Sequence, residues 1–274
     1  MLTLEQQAVF YGGLLREEET VRINRDDWWI NTPAIMVEGS RDITVLIQGG
    51  IRSEYAQLSH IVRWFVQNGF PVICLSQSGS ATTQRSSNFY QVGGLHQFVE
   101  RDLEILDKFG VGRVITYGSG IGAAASIALA SEYPERVAAV IAVNPASLIS
   151  QKPWRLALKF LASNLQPVEK DFDPPPTSRV SLGAAVKELL EGAVHLAASD
   201  IGLAYLVGAK CPVLIYTGHQ DYVFPSKKLE ALGRLPNVRV LPMVGFIHSD
   251  PNSEEKMIRL GRTALRELNQ LGVT

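Results

Sequence analysis

The sequence predicts an α/β protein with a central, mostly parallel sheet and helices on both faces, and three observations carry that expectation. Short β-branched runs alternate with amphipathic stretches along most of the chain, the rhythm of strand–helix–strand units. The runs are continuously apolar rather than alternating, as in Val140-Ile141-Ala142-Val143 and Val213-Leu214-Ile215-Tyr216, which suits strands covered by helices on both faces. The 274 residues, 46% hydrophobic and 19% charged, suffice for one large domain, or for a core domain that carries an insertion.

Taken in order, the strand-like runs are Thr20–Asn24, Trp28–Val37, Ile43–Gln48, Pro71–Leu75, Arg113–Tyr117, Val137–Val143, Pro212–Thr217 and Val238–Pro242. Helical patterns lie at Tyr55–Gln67, Gly94–Phe109, Ile121–Glu132, Pro225–Leu232 and Ser253–Leu271. The rhythm breaks once, between Asn144 and Lys210, where helical patterns surround the run Asp173-Pro174-Pro175-Pro176-Thr177 and no strand is visible. A structureless loop of that length would be out of place inside a domain. The expected organisation is therefore a core of residues 1–144 and 210–274 with a helical lid at 145–209, the triproline run serving as a rigid connector. Trp154, Leu156, Leu158, Phe160 and Leu161 are expected to form an inward apolar face of that lid.

A net charge of −1 supplies no basic stripe, so nucleic acid is not an expected partner. No run reaches the roughly 18 apolar residues that a spanning helix needs, and the opening Met-Leu-Thr-Leu-Glu-Gln-Gln lacks the basic start and apolar core of a secretion signal. The expectation is a cytoplasmic protein with no membrane contact. The two cysteines, Cys74 and Cys211, sit in apolar runs and are too few for a disulfide framework or a metal site; they read as buried small hydrophobes.

The run Val114-Ile115-Thr116-Tyr117-Gly118-Ser119-Gly120-Ile121-Gly122-Ala123 leads from a strand through glycines into a small-residue helix, and two motifs begin this way. One is the dinucleotide fingerprint, met by Gly118-x-Gly120-x-x-Ala123. It needs an acidic residue about 20 positions on, where the chain has Asn144, so neither a nucleotide nor any other cofactor is expected. The other is the nucleophile elbow, Gly-x-Ser-x-Gly.

The elbow, with the segment Ala128-Leu-Ala-Ser-Glu-Tyr-Pro134-Glu-Arg-Val behind it, resembles the α/β-hydrolase superfamily. Counting back from Pro134 sets the two motif glycines at Gly118 and Gly122, which puts Gly120 at the nucleophile position. Reading Ser119 as nucleophile would set Tyr117 and Ile121 where the motif wants small residues. The resemblance extends over about Thr20 to Leu271. Thr217-Gly-His-Gln-Asp221-Tyr-Val-Phe-Pro225 is similar to the family's acid loop and implies Asp221 as the acid, with an Asx-turn as its plainer role. Val244-Gly-Phe-Ile-His248-Ser-Asp250-Pro stands at the family's histidine loop and implies His248, with Asp250 as a rival partner and His219 as a surface residue. The backbone donors of the oxyanion hole fall on Ile121 and Gly50. Gln48-Gly49 stands where many relatives have histidine-glycine, and the Ser/Thr-rich run Ser76–Ser87 replaces an aspartate and glycine-rich loop.

A missing serine removes the acyl-enzyme route, since losing a triad member costs about 10⁴–10⁶ in rate. What the resemblance then implies is a non-covalent enzyme, a lyase, isomerase, cyclase or water-mediated hydrolase. In it His248, oriented by Asp221, serves as general base on water or on a small, partly apolar substrate. The alternatives are a silent pseudo-hydrolase that binds a small molecule or a protein, like the N-myc downstream-regulated family with its glycine elbow, and a hydrolase carrying an engineered serine-to-glycine change. No metal is expected.

Overall fold

A computed structural model of the chain describes residues 11, 13–50, 53, 58–77, 82–87, 89–91, 94–164, 193–219, 221, 223–224, 226–244 and 254–274. Among them nine strands form one sheet: β1 (Leu15–Asn24), β2 (Trp29–Val37), β3 (Thr44–Gln48), β4 (Val72–Leu75), β5 (Gln84–Arg85), β6 (Val114–Ser119), β7 (Val137–Val143), β8 (Val213–Gly218) and β9 (Val238–Met243). The order is β1-β2-β4-β3-β6-β7-β8-β9, with β5 paired to β2. Pairing is antiparallel for β1 with β2 and for β2 with β4, and parallel from β4 through β9.

The central strands β3, β4, β6, β7 and β8 are buried at every position, which is why their sequences are continuously apolar. The helices are α1 (Ser59–Gln67), α2 (His96–Lys108), α3 (Ile121–Glu132), α4 (Pro153–Asn164), α5 (Ala193–Ala198), α6 (Ile201–Gly208), α7 (Ser226–Glu230) and α8 (Glu254–Gln270). Two apolar clusters lie on the two sides of the sheet. One joins alternate strand residues to α1 and α8 through Ile61, Phe65, Met257 and Leu260. The other joins them to α2, α3 and α6 through Phe98, Ile105, Ile127 and Leu206. Helix α3 is buried all along Ile121–Ala130, which its run of alanines permits, since small side chains allow close approach on every side.

Most strand bounds lie within two residues of the sequence reading, and two strands depart further from it. β1 begins at Leu15 rather than Thr20, because its Glu17, Glu18 and Glu19 belong to a strand at the sheet edge, where charge is tolerated and the apolar signal is diluted. β5 is a two-residue contact at Gln84–Arg85, too short for any periodicity.

Between β7 and β8 the described residues hold α4, α5 and α6 and no strand. The inward apolar face expected for the first of these helices is corrected by burial. Leu156 is fully buried, whereas Trp154 and Leu158 are 58% and 57% exposed. The reason is angular: residues two apart on a helix point to nearly opposite sides, so 154 and 158 share a face that 156 does not. The side chains of Phe160 and Leu161, and the triproline run, lie outside the described residues.

Candidate active site at the carboxyl edge of the sheet

In open parallel α/β sheets, ligands gather beyond the carboxyl ends of the strands, where the loops leave and helix N-termini arrive. Five segments lie at that edge here: Gly49–Gly50 after β3, Ser76–Gln77 after β4, Gly120 after β6, Asn144–Ser147 after β7, and His219 with Asp221 after β8.

Gly120 makes the turn from β6 into α3 with φ 55° and ψ −116°, a combination that side chains other than glycine's adopt only under strain. Its N–H donates to Val143 O at 3.0 Å and its carbonyl accepts from Ala146 N–H at 3.0 Å, so the turn is fixed to the chain leaving β7. The three glycines of the run are not equivalent. A Cβ at Gly118 would lie 2.3 Å from Gly122 O, and one at Gly122 would lie 2.4 Å from Gly49 O, both backbone atoms. A Cβ at Gly120 would meet only Gly50 Cα, at 3.7 Å, an ordinary contact. Close packing therefore requires glycine on either side of the turn, while at its apex only the backbone angle favours it.

Ser119 ends β6, paired with Val143. Strand alternation puts its side chain on the face of Tyr117, which packs against Phe65 of α1 at 6.1 Å between ring centroids. Ile121 begins α3, where the first N–H groups of a helix have no partner within it. Among the described residues neither the Ile121 nor the Gly50 N–H donates a hydrogen bond. The 3.7 Å between a Cβ built on Gly120 and Gly50 Cα makes Gly50 a neighbour of the turn that Ile121 follows.

Asn144, with φ 44°, takes up the residue position that a ribose-binding acid would need, and its Oδ1 already accepts from Gly218 N–H at 2.8 Å. Asp221 is buried, and its Oδ1 accepts from Val223 N–H at 2.7 Å and Phe224 N–H at 3.0 Å, the Asx-turn arrangement. His219 is exposed. His248 and Asp250 lie outside the described residues, as does part of the Ser76–Ser87 run.

Three features here escaped sequence reasoning. Lys159 of α4 donates from Nζ to Val223 O at 3.3 Å and to Gln151 Oε1 at 3.1 Å, next to the Asp221 loop. Burial pulls its ammonium below the usual lysine range, partly offset by the Asp221 charge. Ser147, with φ 61°, donates from Oγ to Leu196 O at 2.6 Å and so joins the loop after β7 to α5. Arg101, Asp102, Gln48 and Gln77 form a fully buried polar cluster below Gly49–Gly50. Burial raises the Asp102 carboxyl above its ordinary range, against the opposing pull of the Arg101 guanidinium. Arg101-Asp102 reads in sequence as the solvated stripe of an amphipathic helix, and only the depth of α2 reveals otherwise.

Among the described residues no group of three His, Cys, Asp or Glu could hold a metal ion, and no helix is long and apolar enough to cross a membrane. Residues 44–173 match a family model described as the alpha/beta hydrolase fold. Comparison with curated proteins finds no match. Among solved structures, a carboxylesterase of Nitrososphaera gargenis is 16% identical with a TM-score of 0.70, over 91% of this chain and 99% of that one. An esterase of Thermogutta terrifontis is 17% identical with a TM-score of 0.65, over 94% and 100% of the two chains. Carboxylesterase CesB of Bacillus subtilis is 14% identical with a TM-score of 0.64, over 96% and 95%. Sheet order, a tight strand-to-helix turn and these matches agree, and the chain has the α/β-hydrolase fold.

Proposed function

We propose that Gly120 stands at the nucleophile position of this fold and that the chain catalyses a reaction without a covalent intermediate. The observation that carries the reading is the asymmetry of the three glycines: two are required by backbone contacts, while the apex has room for a side chain it does not carry. Among the described residues the N–H groups of Ile121 and Gly50 donate no hydrogen bond, and both residues adjoin that room. The carboxylesterases that share the fold lend the substrate class, a carboxylic ester or related carbonyl compound.

In this reading His248 is the general base and Asp221 orients it. The imidazole takes a proton from a water held above Gly120, and the water oxygen attacks the carbonyl carbon. Negative charge that develops on the carbonyl oxygen is received by the Ile121 and Gly50 N–H groups. The protonated imidazole then returns the proton to the leaving group, so no residue is consumed. The same base and donors serve proton abstraction next to a carbonyl in a lyase or isomerase.

The test uses three proteins. Wild type is expected to turn over p-nitrophenyl acetate without being labelled by a fluorophosphonate, His248→Ala to lose that turnover, and Gly120→Ser to become labelled at residue 120. Labelling of wild type at Ser119 would overturn the assignment of Gly120. Turnover unchanged in His248→Ala would overturn the base, and absence of turnover in wild type would favour a silent binding protein.

A further inference from the structure

The backbone around Gly50 is held at two points, Gln48 and Ser53, by side chains and backbone that one guanidinium links. At the first, the Gln48 amide uses all four of its hydrogen-bonding positions. Nε2 donates to Asp102 Oδ2 at 2.7 Å and to Ser126 Oγ at 3.4 Å. Oε1 accepts from Arg101 Nη2 at 2.7 Å and from Gln77 Nε2 at 3.4 Å. Three residues past Gly50, Ser53 N–H donates to Gly50 O at 3.0 Å and Ser53 O accepts from Gln77 N–H at 2.7 Å. The Gln77 side chain returns to the same cation, its Oε1 accepting from Arg101 Nη1 at 2.6 Å.

Arg101 thus forks to the two glutamines that follow or end adjacent parallel strands, β3 and β4. Asp102 supplies the countercharge by accepting from Arg101 Nε at 2.9 Å and Nη2 at 2.6 Å. Arg101 and Asp102 are both 0% exposed, and the guanidinium lies 5.1 Å from the Phe98 ring centroid. Burying an ion pair costs several kcal/mol per ion before its mutual attraction is counted, so it is weak support for stability and a better candidate for fixing geometry.

We propose that Arg101 is a positioning residue: its fork sets the spacing of Gln48 and Gln77 and so aims the Gly50 N–H at the point that the Ile121 N–H also faces. The proposal rests on the oxyanion reading of those two donors. It assigns no contact between Arg101 and substrate. The guanidinium is needed for its shape, because a lysine ammonium keeps the charge but cannot make two divergent, planar contacts.

The first measurement is the amide NMR resonance of Gly50 in Arg101→Lys and in Gln77→Met, the second variant removing the Gln77 side-chain bonds to Arg101 and Gln48 while keeping its backbone N–H on Ser53 O. In both the Gly50 resonance is expected to move and broaden while the strand amides of β6 and β7 stay in place. An unmoved Gly50 resonance in the folded variants overturns the proposal. If Arg101→Lys does not fold, Gln77→Met decides alone. The second measurement repeats the substitutions in the Gly120→Ser background and follows the rate of fluorophosphonate labelling. A loss of about 100-fold is expected, the scale of a displacement near 1 Å at a reacting group, and an equal rate overturns the role. Should Gly120→Ser alone resist labelling while Gly50 still moves, the reading of residue 120 fails and the positioning role stands.

Discussion

At the scale of single residues, the turn at Gly118–Gly122 separates two reasons for glycine, and each predicts a different response to substitution. Gly120→Ser has space, with its nearest foreign atom 3.7 Å from the new Cβ, so its cost is backbone strain of about 1–3 kcal/mol. A thermal melt should record a folded protein whose midpoint drops by roughly 2–10 °C. Gly118→Ala drives a carbon to 2.3 Å from a carbonyl oxygen that α3 cannot withdraw, and should cost about 3 kcal/mol or more. Equal melting of the two variants would contradict the distinction. Cys211 offers a second residue-scale prediction. Burial pushes its thiol from the ordinary 9.0 up to about 11, so the unfolded chain releases this proton first as pH rises. Stability from this group is therefore intact below about pH 9 and is lost between there and about 11, at a slope of up to about 1.4 kcal/mol per pH unit. Denaturant titrations at pH 8, 9.5 and 10.5 should show a shallower decline in Cys211→Ala than in wild type. The positions of Gly118, Gly120 and Gly122 were legible in the sequence because a turn of this tightness leaves glycine as its signature.

At the scale of elements, what was legible followed from environment. Strands buried on both faces announced themselves through continuous apolar runs, whereas β1, half of it glutamate and arginine at a sheet edge, was read five residues short. Helix α2 was found with nearly correct limits, but its buried polar residues were not singled out. Its Gln97, Arg101 and Asp102 are all buried, and a buried charged pair cannot be told from a solvated one by spacing alone. Gln97 sits one turn before Arg101, and among the described residues neither its Oε1 nor its Nε2 has a hydrogen-bond partner. An unpaired buried polar group costs about 1–3 kcal/mol, so Gln97→Met, which keeps the length of the side chain and removes both polar atoms, should raise the unfolding free energy by about 1 kcal/mol. Chemical denaturation of the variant checks this, and a loss of stability would mean that the amide is hydrogen-bonded in solution.

At the scale of the whole molecule, the interval between β7 and β8 is less uniform than an inserted lid at 145–209 implies. Helix α6 is tied to the core: Gly202 N–H donates to Ser147 O at 2.8 Å, a Cβ at Gly202 would lie 2.8 Å from that same oxygen, and Leu206 is fully buried. The described side chains of helix α4 show a weaker hold. It buries Leu156 but turns Trp154 and Leu158 outward, and among the described residues its side-chain polar link to the core is the Lys159 ammonium on Val223 O. Sequence could not draw this division, because the helices are all apolar enough to pack and what separates them is whether the sheet side offers a matching surface. Local opening follows buried contacts and protected hydrogen bonds, so hydrogen exchange should protect 201–208 as strongly as α3 and leave 153–164 the faster segment. Lys159→Met removes the polar link and should speed exchange in 153–164 by about fivefold, the equivalent of roughly 1 kcal/mol for lost hydrogen bonds, while 201–208 remains unchanged. If both segments accelerate together, the two helices open as one unit and the whole interval behaves as a single lid. If only 153–164 responds, the described part of the interval opens at the helix that carries Lys159 to the Asp221 loop, and α6 stays with the core.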